Sequence, residues 1–485
     1  MPRSNAPLEK RVGNDGLPPR WPWALCLSCA LLIVAFLILH HRHEPASQDA
    51  AASGESASPN LPALASAGES PRLPAIPEHR ARTPKLSAEQ IVANKVAQFG
   101  QKRRELVRAI AQRSQKEIPP KVEKFFDAVE SGNWENITNQ WYELAVHSSQ
   151  YTFSTNHWDQ LDPFWPSVLD AYGVAEQAHL WPAQKLLDYG DAVIGALRPG
   201  MVYVGGTDNG RWIPELLNDT GDGEQHIVVT QNALADGRYL DFVNDLYSDR
   251  MSTLTQDESK RAFADYVSDA QKRFEHDQQF PDEPKQVLPG EDIQVVDGKV
   301  QVRGQTAVMA INERLLQMLM QKNPGMSFAI EQSFPFRNTY ADGLPLGPLM
   351  ELNARNDQNT FTAERASQSL DYWRNAAQQV LSDFDATGSE AVLKSYSHDA
   401  SAAANLLAAH NFNSQAEETY RLATQLWPGN PECVGGLANL LAANSRATEA
   451  QQLLNNFSKQ YPDQSETLKK ITAGITIVSY PASTK

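Results

Sequence analysis

Residues 201–211 read MVYVGGTDNGR, and this stretch decides how the middle of the chain folds. A short apolar run ends in two glycines, and a helix-forming sequence follows at once. Similar apolar runs lie at residues 226–230 (HIVVT) and 326–330 (MSFAI). Short buried strands that alternate with helices are typical of an α/β layer with parallel strands. The pattern therefore predicts a Rossmann-like α/β domain over residues 201–355, with a mostly parallel sheet.

One hairpin and several helices complete this predicted domain. In residues 293–302 (IQVVDGKVQV), Asp297 and Gly298 stand between alternating valines, which is a strong short-range signal for a two-stranded hairpin. Apolar residues at helical spacing, set between the strands, predict helices at residues 211–218, 236–247, 257–274 and 305–321.

The C-terminal third is helical and contains an internal repeat. The sequence ANLLAA occurs at residues 404–409 and again at residues 438–443, which is an offset of 34 residues. Ala416 and Ala450 share this offset, and a small residue at that position lets paired helices approach closely. A 34-residue period of helix–turn–helix units is typical of the tetratricopeptide repeat. We therefore predict an all-α repeat region over residues 360–470.

The repeat region needs further helices beyond these two units. Two repeats are fewer than such an array usually requires to bury its apolar faces. Residues 361–381 and 389–398 are also helical in pattern, and we expect them to pack as additional partners. Stacked repeats build extended binding surfaces, so this region is the predicted docking surface for a protein partner.

A second helical region precedes the α/β domain, at residues 86–200. Its first helix has one apolar face, formed by Val92, Val96, Phe99, Leu106 and Ile110. Residues 121–146 predict a pair of antiparallel helices around a turn at residues 131–133. Five of the ten tryptophans lie between Trp134 and Trp181. We interpret these aromatic side chains as core packing rather than as a platform for sugars.

An uncharged run of 19 residues, 21–39, lies near the N-terminus. As a helix it spans roughly 28 Å, close to the hydrocarbon thickness of a bilayer. Lys and Arg are more frequent before the run than directly after it. We therefore predict one transmembrane signal anchor in the bacterial inner membrane, with residues 1–20 cytoplasmic and the bulk of the chain periplasmic. The alternative is a cleaved secretory signal peptide, although its apolar region is normally shorter than this run. Residues 44–85, rich in proline, alanine and serine, form a predicted disordered linker.

Composition restricts the classes of function. The chain has 485 residues and a net charge of −15, which argues against nucleic acid as a partner, since phosphate binding requires clustered basic side chains. Only Cys433 lies outside the predicted span, so no intrachain disulfide is expected there. The globular part shows no cluster with metal-ligand spacing and no Ser/His/Asp set. We therefore expect no metal and no cofactor.

The glycine-rich loop after the first predicted strand is the leading candidate for a binding site. A strand, a glycine loop and a helix together present unpaired N–H groups that bind anions. Side chains at the carboxyl ends of neighbouring strands meet in one crevice, so the residues after the second strand belong to the same site. The predicted ligand-binding residues are Gly205, Gly206, Thr207, Asp208, Arg211, Gln231 and Asn232. The structural alternative is that Asp208 caps the helix and the glycines only form the turn.

Two acidic residues are candidates for chemistry, although no catalytic residue is assigned. Whether the chain is an enzyme stays open, and the lack of a catalytic set favours a role without catalysis. Asp208 lies in the glycine loop, and Glu331 follows the strand predicted at residues 326–330. Glu331 has the chemistry of a general acid or base. The alternative for Glu331 is a structural salt bridge, for example with Arg337.

Four stretches resemble the soluble C-terminal region of bacterial multi-spanning membrane proteins of the protein O-mannosyltransferase-like family, of the verrucomicrobial type. The stretches are VYVGGTDNGR (202–211), VVTQNALADGRYLDFV (228–243), GEDIQVVDGKVQVRGQTAVMAIN (290–312) and AIEQSFPFRNTY (329–340). The resemblance covers about residues 201–353, and members of the family often continue into tetratricopeptide repeats.

The resemblance implies an accessory module rather than a transferase. The family's transfer chemistry is expected in a membrane-spanning part, whereas this chain has one predicted span. The loop pattern fits at Gly205, Gly206, Thr207, Asp208, Gly210 and Arg211, with Asn209 where a proline is expected. Glu331 fits a position that a second acid usually follows, and this chain has Gln332 there.

Two functions from different classes follow from these observations. The first is a membrane-anchored docking scaffold whose repeats bind a protein partner, beside an α/β module of unassigned function. The second is an enzyme or a sugar- or nucleotide-sugar-binding accessory in cell-envelope glycan or glycoprotein assembly, with its ligand in the glycine loop. The repeat and the lack of a catalytic set favour the first.

Overall fold

The computed structural model describes residues 86–148, 161–206, 208–288, 290–296, 299–331, 343–352 and 361–472. The chain divides into two units, residues 1–67 and 68–485, and every described residue belongs to the second. The predicted transmembrane helix and linker lie outside the described residues. Within these ranges, no helix has both the length and the apolar character needed to cross a bilayer.

In the described part of the chain, five helices precede the sheet, and the apolar spacing predicts the first three of them. They are α1 (Ala88–Ser114), α2 (Pro120–Ser131), α3 (Trp134–Ser148), α4 (Trp165–Leu180) and α5 (Ala183–Ala196). Ser87 and Gln90 cap α1 reciprocally, because the side chain of each accepts the backbone N–H of the other. Gly132, in the left-handed conformation, ends α2 and reverses the chain into α3.

The described aromatic side chains of this region pack against one another, as the interpretation as core predicts, and Trp158 lies outside the described residues. Trp141 and Trp181 are buried. The Trp141 ring stacks on the Tyr172 ring with 4.0 Å between centroids, and the half-buried Trp134 ring stacks on the same tyrosine at 5.9 Å. The stacked rings join α3 to α4.

A five-stranded mixed sheet lies at the centre of the described chain. Its strands are β1 (Val202–Gly205), β2 (Ile227–Thr230), β5 (Phe328–Ile330), β6 (Leu344–Leu346) and β7 (Leu349–Leu352), in the order β2-β1-β5-β7-β6. β1 is parallel to β2 and to β5, whereas β7 is antiparallel to both β5 and β6. The three predicted strands are therefore confirmed, and the sheet is half antiparallel.

The prediction of a mostly parallel sheet is wrong because it missed the β6–β7 hairpin. Each of these strands has only three or four residues, too few to show alternation, and Pro345 lies inside β6. Proline is tolerated there because β6 is an edge strand. Gly347, at φ 61°, supplies the left-handed residue that the tight turn requires.

The predicted helices and hairpin of the α/β region are present. The helices are α6 (Asp208–Thr220), α7 (Gly237–Tyr247), α8 (Gln256–Gln279) and α9 (Gln305–Lys322). The hairpin strands β3 (Asp292–Val296) and β4 (Lys299–Arg303) pair with each other in a separate two-stranded sheet. The turn residues Asp297 and Gly298 lie outside the described residues.

Seven helices form the described C-terminal part. They are α10 (Ala363–Ser382), α11 (Phe384–Thr387), α12 (Glu390–Ala409), α13 (Asn413–Leu426), α14 (Pro431–Ala443), α15 (Ala447–Gln460) and α16 (Ser465–Thr472). Residues 389–398, expected to form a separate helix, are instead the first half of α12. Apart from its capping residue Ser389, that stretch continues into the repeat sequence without a breaker.

The 34-residue offset is also present in the backbone of two helical hairpins, α12–α13 and α14–α15. Asn411 and Ser445 occupy the same place in the two turns, and both have φ 63°. The N–H of the residue that follows each one donates to a carbonyl five residues earlier, at 2.9 Å and 2.8 Å. The sequence repeat therefore corresponds to a repeated turn geometry.

Helix α12 belongs to two hydrophobic cores. Ala400 and Ala404 lie in the core that the N-terminal and C-terminal helices share, whereas Ala402 and Leu406 lie in the core of the α/β region. The helix also contacts strands β6 and β7. The first repeat hairpin is therefore packed directly on the sheet.

Ala450→Leu is expected to lower the free energy of unfolding by about 1–3 kcal/mol, because extra methylene groups overpack a filled site. Ala450 is fully buried in α15, as Ala416 is in α13. Chemical denaturation of the full chain measures the effect. Ala443→Leu, at an exposed position of α14, is the control and should change stability little. Equal effects of both substitutions would contradict the repeat register.

Candidate functional site

The glycine loop between β1 and α6 is shaped by close packing within the chain. A Cβ atom at Gly205 would lie 2.7 Å from the carbonyl oxygen of Gly210. A Cβ atom at Gly210 would overlap the carboxyl group of Glu331. Neither glycine has a positive φ, so both are required for space. The glycines therefore bring α6 against the end of β5.

The carboxylate of Glu331 occupies the place where such a loop holds an anion. Its Oε2 accepts the N–H of Gly206 at 2.8 Å, next to the N-terminus of α6. Glu331 follows β5, and its own N–H donates to the carbonyl of Val204 at 2.9 Å, which continues the ladder with β1. The side chain is 1% exposed. An internal acid therefore accepts an N–H group that the loop would otherwise offer to an external anion.

The residues after β2 join this loop, so the ends of three strands meet as expected. The side-chain amide of Asn232 donates to the carbonyl oxygen of Gly206. Gln231 is fully buried, and its Nε2 donates to the carbonyl oxygen of Glu331 at 3.4 Å. Both side chains tie the loop to its neighbours. Thr207, Gln332 and Arg337 lie outside the described residues.

Asp208 lies at the entrance of α6. The helix begins at Asp208 itself, so this residue is in the first turn rather than at the preceding cap position expected from the sequence. A negative charge is favoured there by the helix dipole. Burial raises the pKa of Asp208, the Arg211 charge opposes that rise, and the Glu331 charge adds to it.

The structure places Arg211 away from the crevice in which the sequence expects it. Its guanidinium pairs with Asp170 of α4 and lies 3.9 Å from Glu215. The same group stacks over the rings of Trp212 and Tyr239, at 5.4 Å and 5.5 Å from their centroids. The carboxylate of Asp170 holds the Arg211 side chain against α4, although the Arg211 charge still acts on Asp208.

A buried ion network that the sequence did not predict surrounds this arginine. Arg103 of α1 contacts Asp170 at 3.4 Å, Glu215 at 2.6 Å and Asp219 at 2.9 Å. Arg103 is 3% exposed. The network has three carboxyl groups and two guanidinium groups, those of Arg103 and Arg211. Burial and the Asp170 charge raise the pKa of Glu215 to about 8. The sequence offered one signal for this network: Arg103 lies on the apolar face of α1, four residues after Phe99.

A second missed residue, Asp399, reaches the loop from the repeat region. Asp399 lies in the middle of α12 and is 3% exposed. The hydroxyl of Tyr189 donates to its Oδ2 at 3.1 Å, and the side chain of Asn209 donates to the Tyr189 oxygen at 3.5 Å. Burial and the Glu331 charge raise the pKa of Asp399 well above its usual value. The charge of Glu331 therefore acts on a buried carboxyl group that belongs to a distant segment of the chain.

Open space lies elsewhere on the described surface. A groove of about 360 Å³ lies between α8 and α9, where Arg314 pairs with Asp265 at 2.9 Å. A groove of about 310 Å³ lies between α15 and α16. No group of three or more His, Cys, Asp or Glu side chains in the described ranges is arranged to hold a metal ion. No protein-family model, no curated protein and no solved structure matches this chain.

Proposed function

We propose that this chain is a membrane-anchored, periplasmic docking protein that binds a protein partner through its C-terminal helical repeat. The observation that carries the proposal is a contrast between two sites. Glu331 of the chain itself accepts the Gly206 N–H in the glycine loop, whereas a groove is open between the last two described helices. Residues 21–39 would supply the anchor, and the tetratricopeptide pattern would supply the docking scaffold.

The geometry of the groove favours a short helical or extended segment as its occupant. The lining residues are mostly polar and come from two adjacent helices: Gln451, Leu454, Asn455, Ser458, Leu468, Lys469 and Thr472. Leu468 is buried beneath the groove and Leu454 is half-buried. One apolar side chain of a partner would contact these leucines. Polar groups of the partner beside it would form hydrogen bonds with the polar side chains at the rim of the groove.

The ligand-binding alternative has less support from the geometry of the loop. A glycan or nucleotide sugar would have to displace the carboxylate of Glu331 from the Gly206 N–H. Arg211 is also already paired with Asp170 and would have to leave that partner to bind the ligand. The resemblance to the O-mannosyltransferase-like family is consistent with an accessory role, because the resemblance implies a detached module without the membrane-embedded chemistry.

Site-specific photo-crosslinking in cells tests the docking function. A photoreactive residue at Asn455, exposed in the groove, should form an adduct with one protein of defined mass. The same residue at Gln271, exposed on α8, is the control and should form none. Leu454→Arg should abolish the Asn455 adduct, because a charge replaces the apolar contact.

Two outcomes would contradict the proposal. The first is equal labelling from both positions, and the second is no adduct at Asn455. A nucleotide sugar or glycan that raises the melting temperature of the full chain, with the rise lost in Asp208→Asn, would support the loop as the functional site instead.

A further inference from the structure

An aromatic side chain at the start of the repeat region is almost fully open to water. Phe384, the first residue of α11, is 89% exposed, which is the highest value for any large apolar side chain among the described residues. Leu381, three residues earlier at the end of α10, is exposed as well. A phenyl ring is among the largest apolar side chains, so Phe384 offers a partner much apolar surface to cover.

Helix α11 presents Phe384 from a fixed backbone. The side chain of Asp383 caps the helix, and one of its oxygens accepts the N–H of Ala386 at 2.9 Å. The Nζ of Lys185, in α5, donates to the other oxygen at 2.7 Å. The residue next to Phe384 is therefore tied to another helix. Little backbone freedom would be lost when a partner covers the ring, and this favours binding.

The groove between α15 and α16 has room and an apolar lining for one such ring. Its volume of about 310 Å³ is at the lower end of the range for sites that hold a small organic group. Leu454 and Leu468 supply the apolar part, and Leu468 packs on the buried ring of Phe457. The ring of Phe384 and the groove are both open in the folded chain. One chain therefore does not fill its own groove.

Charges beside the two surfaces are opposite in sign. The exposed carboxylate of Asp385 directly follows Phe384. The exposed ammonium group of Lys469 lies at the rim of the groove, and its nearest carboxylate, that of Glu466, is 3.8 Å away. Complementary charges of this kind favour association in one orientation.

We propose that Phe384 of one copy of the chain inserts into the groove between α15 and α16 of a second copy. Asp385 of the first copy then lies beside Lys469 of the second. The two surfaces differ, so one contact needs the ring from one copy and the groove from the other. This inference rests on the proposed docking function and names its partner as a second copy of the chain.

Photo-crosslinking between two distinguishable copies tests the proposal. The full chain is purified in detergent in two forms that carry different tags. The receiving form has a photoreactive residue at Asn455 together with Phe384→Ala, and the donating form has Leu454→Arg. Irradiation of the mixture should join the two forms, because one supplies the groove and the other the ring.

The ring itself is tested in the donating form. Adding Phe384→Ala to that form should lower the adduct yield by about tenfold or more, since a buried aromatic anchor supplies much of the energy of such a contact. Phe280→Ala in the donating form is the matched control, because Phe280 is a 42% exposed ring at the end of α8. This control should leave the adduct yield unchanged.

Charge reversal supplies a second readout that does not depend on the ring. Asp385→Lys in the donating form should lower the adduct yield, because two positive charges would then meet at the rim. Lys469→Glu in the receiving form should lower it as well, and the two substitutions together should restore it. Both positions are exposed, so the fold should be kept, and circular dichroism of each form verifies this.

The outcomes separate this inference from the docking function on which it rests. An adduct from Asn455 in cells that contains a different protein, with none between purified copies, would overturn this inference and leave the docking function standing. No adduct at Asn455, either in cells or with the purified chain, would overturn both. Equal yields with and without Phe384 in the donating form, or labelling of lipid by a photoreactive residue in place of Phe384, would overturn the insertion of the ring.

Discussion

Gly210→Ala is expected to lower the free energy of unfolding by about 3–5 kcal/mol, although alanine usually stabilises a helix relative to glycine. The added methyl group would overlap the carboxyl group of Glu331. Overpacking costs about 1–3 kcal/mol, and the displaced carboxylate would lose its bond from the Gly206 N–H, which is worth about 1.5–3 kcal/mol. Urea unfolding of the full chain, followed by circular dichroism, measures the change.

Gly195→Ala is the matched control for that prediction. Gly195 is an exposed glycine near the end of α5, and a Cβ atom there would meet no heavy atom within 4 Å. The substitution should stabilise the protein by about 0.5–1 kcal/mol, because alanine loses less conformational entropy in a helix. In a Glu331→Ala background, Gly210→Ala should cost much less, since the clash is removed. A similar small effect of Gly210→Ala and Gly195→Ala would contradict the packing of Glu331 against the loop.

Arg103→Met is expected to destabilise the protein by about 3–5 kcal/mol. The substitution leaves Glu215 and Asp219 without their nearest cation, and a buried charge without a partner is strongly unfavourable. The effect should be largest above pH 8, because Glu215 is then ionised in the folded protein. Thermal unfolding over a series of pH values measures both the loss and its direction.

Arg113→Met, on the same helix, is the control. It shows whether the loss of stability comes from removing a buried charge or from removing any arginine of α1. Arg113 is 56% exposed and pairs with Asp245 at 3.0 Å, so its removal should cost at most about 1 kcal/mol. If both substitutions had the same small effect, the network around Arg103 would not be a stabilising feature of α1. In a Glu215→Gln background, Arg103→Met should lower the free energy of unfolding by less, because one unpaired charge is then absent.

Strong local signals made much of the fold predictable. The strand β1 is an apolar run that ends in glycines, and the helical hairpins repeat their sequence with a fixed offset. By contrast, β6 and β7 are too short for a period to appear, and Pro345 obscures the first of them. Their pairing depends on β5, which lies earlier in the chain, so a local pattern could not show it.

The candidate site was predictable only where chain topology determines it. Neighbouring parallel strands end at the same edge of a sheet. Asn232 and Glu331, which follow two such strands, were therefore expected near Gly206. The role of Asp399 depends on how the repeat docks on the sheet, and no spacing in the sequence encodes that docking. The direction of the Arg211 side chain likewise depends on Asp170, which lies in another helix.

Helix α12 packs in two hydrophobic cores, so the repeat region cannot be moved to another protein as an independent domain. A cut between residues 353 and 361 would follow the boundary that the sequence suggests, yet it would remove Ala402 and Leu406 from the core of the α/β region. The same cut would remove the helix that contacts β6 and β7. The two modules should therefore unfold in one cooperative step, and neither should be exchangeable with a homologous part unless α12 stays with the sheet.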